Sequence, residues 1–207
     1  MLAGEYILID TIDRTFNTPM TNFIVPHKEE WKFEFDKLKN FIESLLNRFQ
    51  VDIQHVGSTA IPELFAKPIL DIDIIIINKK NIDDISAKLE KVGYKNKGEQ
   101  GISGRFTFRQ TSDLTPLTGD TKKWQEHHLY VCYSDSLALK NHILFRDALL
   151  NDKKLVTEYS KLKTRLVAEK GMTREKYTVQ KTEFIISVLT SLGLDKIELS
   201  EIKNANL

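Results

Sequence analysis

The sequence predicts an α+β fold, a small mixed α/β sheet flanked by helices, with a helical segment at its C-terminal end. Three observations carry that expectation. The stretch 70–77 is β-branched and almost continuously apolar, strand-like and helical periodicities alternate before residue 134, and the chain turns helical from Asp135 onward. A length of 207 residues suits one good-sized domain, or a compact domain with a helical appendage. The expected organisation is an N-terminal extension over 1–24, an α/β core over 25–134, helices packed on it over 135–193, and a polar, fraying tail over 194–207.

Within the extension, Tyr6, Ile7, Leu8 and Ile9 can pair as a strand, whereas Asn17, Thr18, Pro19, Thr21 and Asn22 read as loop. A helix is expected from near Glu29, because Trp31, Phe35, Leu38, Ile42, Leu45 and Leu46 recur at helical spacing. Residues 51–56 follow as a strand ending at Gly57-Ser58-Thr59. Pro62 sits near the first turn of a short segment, where proline is tolerated, and Pro68 stops it. The apolar run at 70–77 predicts a strand buried on both faces and central in its sheet. Asn81 or Asp83 can cap the next helix, which stops near Gly93. Residues 106–108 and 129–133 are further strand candidates, separated by a polar loop at 111–121. Helices are then expected over about 135–150, 152–169 and 173–192, with Asp152 and Thr173 as N-caps.

Thirty basic residues against twenty-nine acidic ones leave a net charge of +1, which argues against an extended nucleic-acid contact while allowing a local basic pocket. The one cysteine, Cys132, can form neither an intramolecular disulfide nor, alone, a structural zinc site, and reads as a buried, inert strand residue. No stretch approaches the roughly 18 consecutive apolar residues of a membrane helix. These features predict a cytoplasmic protein.

The chemistry concentrates in two motifs. Asp71 and Asp73 interrupt the apolar strand, and side chains two apart on a strand share a face. Two adjacent carboxylates repel each other and lose hydration, and a divalent cation relieves both costs. Carboxylates together with substrate phosphates are the usual way to hold Mg²⁺, with Mn²⁺ as an alternative. Upstream, Gly57-Ser58 joins a strand to a short helix. Glycine lets backbone approach a phosphate, and the following N–H groups and the serine hydroxyl donate to it. Either motif alone is commonly a plain turn or strand end; their order and spacing set a phosphate cradle beside a metal platform.

Other candidates have two readings each. Lys67, Arg105 and Arg109 either neutralise a polyphosphate or belong to solvated surface, and Arg105 follows a glycine-bearing loop at 98–104 able to close over a ligand. His128 is either a site residue or a satisfied strand histidine, with His127 beside it; His55 more simply supports the Gly-Ser turn. Arg146-Asp147 reads as structural ion pairing with other helices. Tyr177 and Lys181 share a helix face, for which ordinary packing is the first reading.

The chain resembles the GrpB family of nucleotidyltransferase-like proteins. The stretches that carry the likeness are Val25-Pro26-His27-Lys28-Glu29-Glu30-Trp31, His55-Val56-Gly57-Ser58-Thr59-Ala60-Ile61-Pro62 and Ala66-Lys67-Pro68-Ile69-Leu70-Asp71-Ile72-Asp73. Further matches are Gly98-Glu99-Gln100-Gly101-Ile102-Ser103-Gly104-Arg105, His127-His128-Leu129-Tyr130-Val131, Phe145-Arg146-Asp147 and Arg174-Glu175-Lys176-Tyr177. The resemblance implies a nucleotidyltransferase fold in which Gly57, Ser58, Asp71 and Asp73 take the active-site positions. It implies nucleotidyl transfer from a nucleoside triphosphate, ATP first, to a small-molecule acceptor with Mg²⁺. Two departures stand out. Tyr130 occupies a position usually held by histidine, and no acidic residue within 128–133 supplies the third carboxylate common in the superfamily. His128 is the candidate to replace it and Glu126 the nearest acid; without either, the expectation becomes a non-catalytic nucleotide- or phosphate-binding module.

Overall fold

The structure is a computed structural model and describes residues 24–205. The strand expected at 6–9 lies outside the described residues.

Helix α1 (Glu30–Leu45) buries Trp31, Phe35, Leu38 and Ile42 along one stripe, as their spacing predicts. It leads into β1 (Val51–Val56), a single 3-10 turn at Ser58–Ala60, and β2 (Leu70–Ile76). Helix α2 (Ile82–Lys91) follows, then β3 (Tyr94–Asn96), β4 (Arg105–Gln110) and β5 (His127–Tyr133). Four helices complete the described chain: α3 (Leu137–Asn151), α4 (Lys153–Ala168), α5 (Arg174–Ser191) and α6 (Lys196–Asn204). Asp152 and Thr173 cap α4 and α5 through their side chains, as expected. No helix among the described residues is long and apolar enough to cross a membrane.

The strands form one mixed sheet in the order β1-β2-β5-β4-β3. β2 runs antiparallel to β1 and parallel to β5, and β4 runs antiparallel to both β5 and β3. β2 is therefore interior, as its continuous apolar character requires. Its alternation separates two faces. Leu70, Ile72, Ile74 and Ile76 pack with Trp31, Phe35, Ile85 and Leu89 in the main core. Each fully buried side chain of this kind contributes about 1.5–3 kcal/mol. Asp71, Asp73 and Ile75 lie on the opposite face, where Ile75 joins Tyr130, Cys132, Leu139 and Ile143 beneath α3.

Two elements depart from the sequence reading. β3 was not expected, because three residues with two polar side chains show no alternation; register with 108–110 and burial of Tyr94 make it a strand. The region after Gly193, expected to fray as a polar tail, holds α6. Asp195 and Glu198 form a reciprocal capping box, and Leu194 and Ile202 pack with Ile185 and Leu189. Local polarity concealed this helix, since Leu199 and Ile202, with Leu194 just before them, suffice once a neighbouring helix covers them.

Candidate functional site

The sheet's register assembles the site. Asp71 lies opposite His128 and Asp73 opposite Tyr130 on β5, while Val56 and Gln54 face them from β1. Asp71 is 5% exposed and Asp73 fully buried. Each carboxylate is held by an imidazole. His128 Nδ1 is 3.0 Å from Asp71 Oδ1, and His142 Nδ1, from α3, is 2.8 Å from Asp73 Oδ2. An ionised carboxylate only accepts, so both ring nitrogens donate. Asp73 Oδ1, buried, has no hydrogen-bond partner among the described residues.

Gly57 ends β1 at φ 69° and ψ −170°, a conformation that L side chains rarely adopt. A Cβ at this position would overlap Asp71 Oδ2 and stand 2.8 Å from Asp71 Cγ. Only glycine lets the turn and the carboxylate approach so closely. Ser58 then points its hydroxyl at Lys163 of α4, whose Nζ donates to Ser58 Oγ at 2.9 Å. Lys163 is 2% exposed and sits 4.6 Å above the Tyr159 ring.

Gly57, Ser58, Lys67 and Asp71 line one cavity with residues of α3, α4 and α5. Arg146, Lys163 and Lys181 join Lys67 on its wall, so four cationic side chains surround one carboxylate. Arg146 donates through Nη1 to Gln54 Oε1 (2.8 Å) and the His55 carbonyl (3.1 Å), and through Nε to Asp147 (2.8 Å). Arg146 pairs with its neighbour Asp147 rather than with another helix, and the same guanidinium fastens α3 to β1. Tyr177 and Lys181 line the cavity too, with the Lys181 ammonium 4.7 Å from the Tyr177 ring.

The remaining candidates fall elsewhere. Arg109 is exposed and lines a separate groove with Glu126, His127 and His128. Arg105 is 3% exposed, lies over Tyr130 at 4.8 Å, and lines a second cavity bounded by loop 98–104, α3 and α6. Of the three expected phosphate-binding cations, only Lys67 shares a cavity with Gly57 and Ser58. His55 stacks on Phe35 with ring centroids 4.6 Å apart and bonds Thr59 Oγ1 at 3.0 Å, supporting the turn. Burial, and then the charge of Arg146, lower its pKa to about 4. His127 bridges the Tyr94 hydroxyl (2.6 Å) and the Gln125 carbonyl (2.8 Å), and burial lowers it to about 4. Burial and then the Asp73 charge push the Cys132 thiol well up, so it stays protonated.

Sequence reasoning missed Lys163, His142 and Asn141. A signal existed in each helix. Lys163 interrupts the buried stripe Val156, Tyr159, Lys163, Leu166 of α4, and Asn141 and His142 interrupt the buried face of α3. A polar residue at a core position of an amphipathic helix marks a polar partner in the tertiary structure.

No three His, Cys, Asp or Glu side chains among the described residues converge as a metal-ligating set. The two aspartates nevertheless fit Mg²⁺, which takes one or two carboxylates and draws its other ligands from phosphate and water. Asp73 Oδ1 is a buried acceptor without a donor.

The sequence profile of the GrpB protein family matches residues 22–191. The glutamate-rich protein GrpB of Alkalihalophilus pseudofirmus is 32% identical over 170 residues, covering 82% of this chain and 94% of that protein. The UPF0157 protein YqkA of Bacillus subtilis is 31% identical over 162 residues, 78% of this chain but 44% of YqkA. Among solved structures, the conserved protein GrpB from Enterococcus faecalis superposes with a TM-score of 0.66 at 25% identity, over 87% of this chain and 98% of that one. A mutant Cid1 poly(U) polymerase bound to MgATP superposes at 0.55 and 15% identity, over 86% and 55%. The latter likeness is one of fold, and the fold is nucleotidyltransferase-like.

Proposed function

This chain belongs to the GrpB family, and from that premise we propose that it transfers a nucleotidyl group from a nucleoside triphosphate, ATP first, to a small-molecule acceptor. One observation carries the reading. The Gly57-Ser58 turn and Asp71 share a cavity with Lys67, Arg146, Lys163 and Lys181, a cationic lining suited to a polyphosphate. An acidic pair that merely ended a strand would need no such lining. The Cid1 polymerase of similar fold was solved with MgATP, which adds support.

Asp71 and Asp73 would hold Mg²⁺, which when bound neutralises phosphate charge and acts as a Lewis acid toward phosphoryl oxygens. Ser58 and the N–H groups after Gly57 anchor the terminal phosphates, with Lys163 fixing the hydroxyl from below. Lys67 and Lys181 neutralise the departing pyrophosphate. His128 and His142 hold the two carboxylates in place. The acceptor oxygen bonds to the α-phosphorus, the bond from that phosphorus to pyrophosphate breaks, and the acceptor's proton is lost to water. The setting is the cytoplasm, and the acceptor is a small molecule rather than a long nucleic acid, given the net charge of +1.

Isothermal titration with ATP, GTP, CTP and UTP in Mg²⁺ tests nucleotide binding; no heat with any of them overturns the reading. A second reading, a binding module without transfer, draws on His128 and Tyr130 standing where a third carboxylate would face the pair. Metal-dependent pyrophosphate release from ATP with a pool of small acceptors would eliminate that module.

A further inference from the structure

Arg105 is out of place as a core residue. It is 3% exposed, its Nε has no hydrogen-bond partner, and no carboxylate pairs with it among the described residues; its guanidinium rests on Tyr130. A ring face offsets only part of the cost of burying a cation. The five N–H donors of a guanidinium call for acceptors. A second unpartnered buried atom lies around the same ring: Thr107 Oγ1, on the β4 residue paired with Tyr130. Two orphaned groups able to donate, set about one tyrosine, mark a place built for an anionic ligand.

Access exists. Arg105 lines the second cavity together with Ser103 of the glycine loop, Asn141 and His142 of α3, and Glu201 of α6. Asn141 and His142 also line the nucleotide cavity, so one turn of α3 is a shared wall, and His142 grips Asp73. A two-substrate transferase needs neighbouring cavities of this kind that share a wall.

We infer that the second cavity is the acceptor subsite and that the acceptor carries a carboxylate or phosphate, paired with Arg105. This assignment rests on the transfer reading above. The planar guanidinium fork recognises either anion in bidentate fashion. Glu201, exposed at the cavity's rim, opposes it and sets an upper limit on the affinity for small anions.

Isothermal titration of the full chain with inorganic phosphate and with succinate is the test, run on wild type, Arg105→Met, Lys163→Met and Glu201→Gln. At least one anion should bind, weaken about tenfold or more in Arg105→Met, and be retained in Lys163→Met. Phosphate binding that Arg105→Met weakens and Lys163→Met retains would indicate a phosphorylated acceptor, and succinate binding of the same pattern a carboxylated one. Glu201→Gln changes only an exposed rim residue and should tighten the same anion several-fold, which keeps the test readable if Arg105→Met does not fold. Absence of binding by both anions, binding indifferent to Arg105→Met, or no tightening in Glu201→Gln overturns the assignment. ATP titration of the same proteins reads the nucleotide cavity separately, so loss of one reading is distinguishable from loss of the other.

Discussion

Gly57 and Asp71 are in contact across two strands, so close that a methyl group on the glycine would overlap the aspartate's Oδ2. The Gly57-Ser58 turn and the first carboxylate are therefore one structural unit. Gly57→Ala should displace the Asp71 side chain and strain the positive-φ turn, destabilising the fold by about 1–3 kcal/mol. Nucleotide affinity should fall with it. Urea unfolding and titration with ATP would check both, and an Ala variant that binds ATP normally would contradict the coupling.

Lys163 is a second point of coupling. Its ammonium is buried and donates to Ser58, so Lys163→Met removes the charge and the donor while keeping most of the volume. Loss of a hydrogen bond from a charged group costs about 1.5–3 kcal/mol. We expect a lowered Tm and at least tenfold weaker ATP binding. A destabilised variant with normal affinity would make Lys163 a purely structural residue.

The two histidine–aspartate contacts should differ in strength. His142 and Asp73 are both buried, whereas His128 lies nearer solvent. His142→Ala leaves a buried carboxylate without its donor and should cost about 3–5 kcal/mol, more than His128→Ala. Asp73→Asn added to His142→Ala should recover part of that loss. Chemical denaturation of the three variants measures the ranking.

His55 and His127 set an acid limit on stability. Both are neutral in the fold, with pKa values lowered to about 4 against 6.5 when unfolded. Above pH 6.5 neither state binds the proton, so their contribution to stability is intact. As pH falls from 6.5 toward 4, the unfolded chain takes up protons that the folded chain refuses, and stability is lost, on the order of 3 kcal/mol per histidine. Denaturation midpoints across this window should decline, and His127→Gln should flatten the decline.

Asp195→Ala tests the C-terminal helix. Removing the capping box should cost about 1 kcal/mol and increase amide exchange through α6. Unchanged exchange there would mean that Leu194 and Ile202 hold the helix without its cap.

What the sequence by itself determined is local. The two-residue period of a strand placed Asp71 and Asp73 on one face, the apolar run made β2 interior, and the Gly57-Ser58 turn could be read directly. Family resemblance extended this to the fold. The tertiary structure decided which side chains meet those motifs. Lys163 reaches Ser58 across 105 residues of chain and His142 reaches Asp73 across 69. No local periodicity encodes the angle at which a helix lands on a sheet, so the cationic wall was hidden and Lys181 looked like packing. The same separation moved Arg105 and Arg109 away from the Gly57-Ser58 turn. Their strand, β4, lies beyond β5, and the sheet order placed one under the glycine loop and the other in an outer groove.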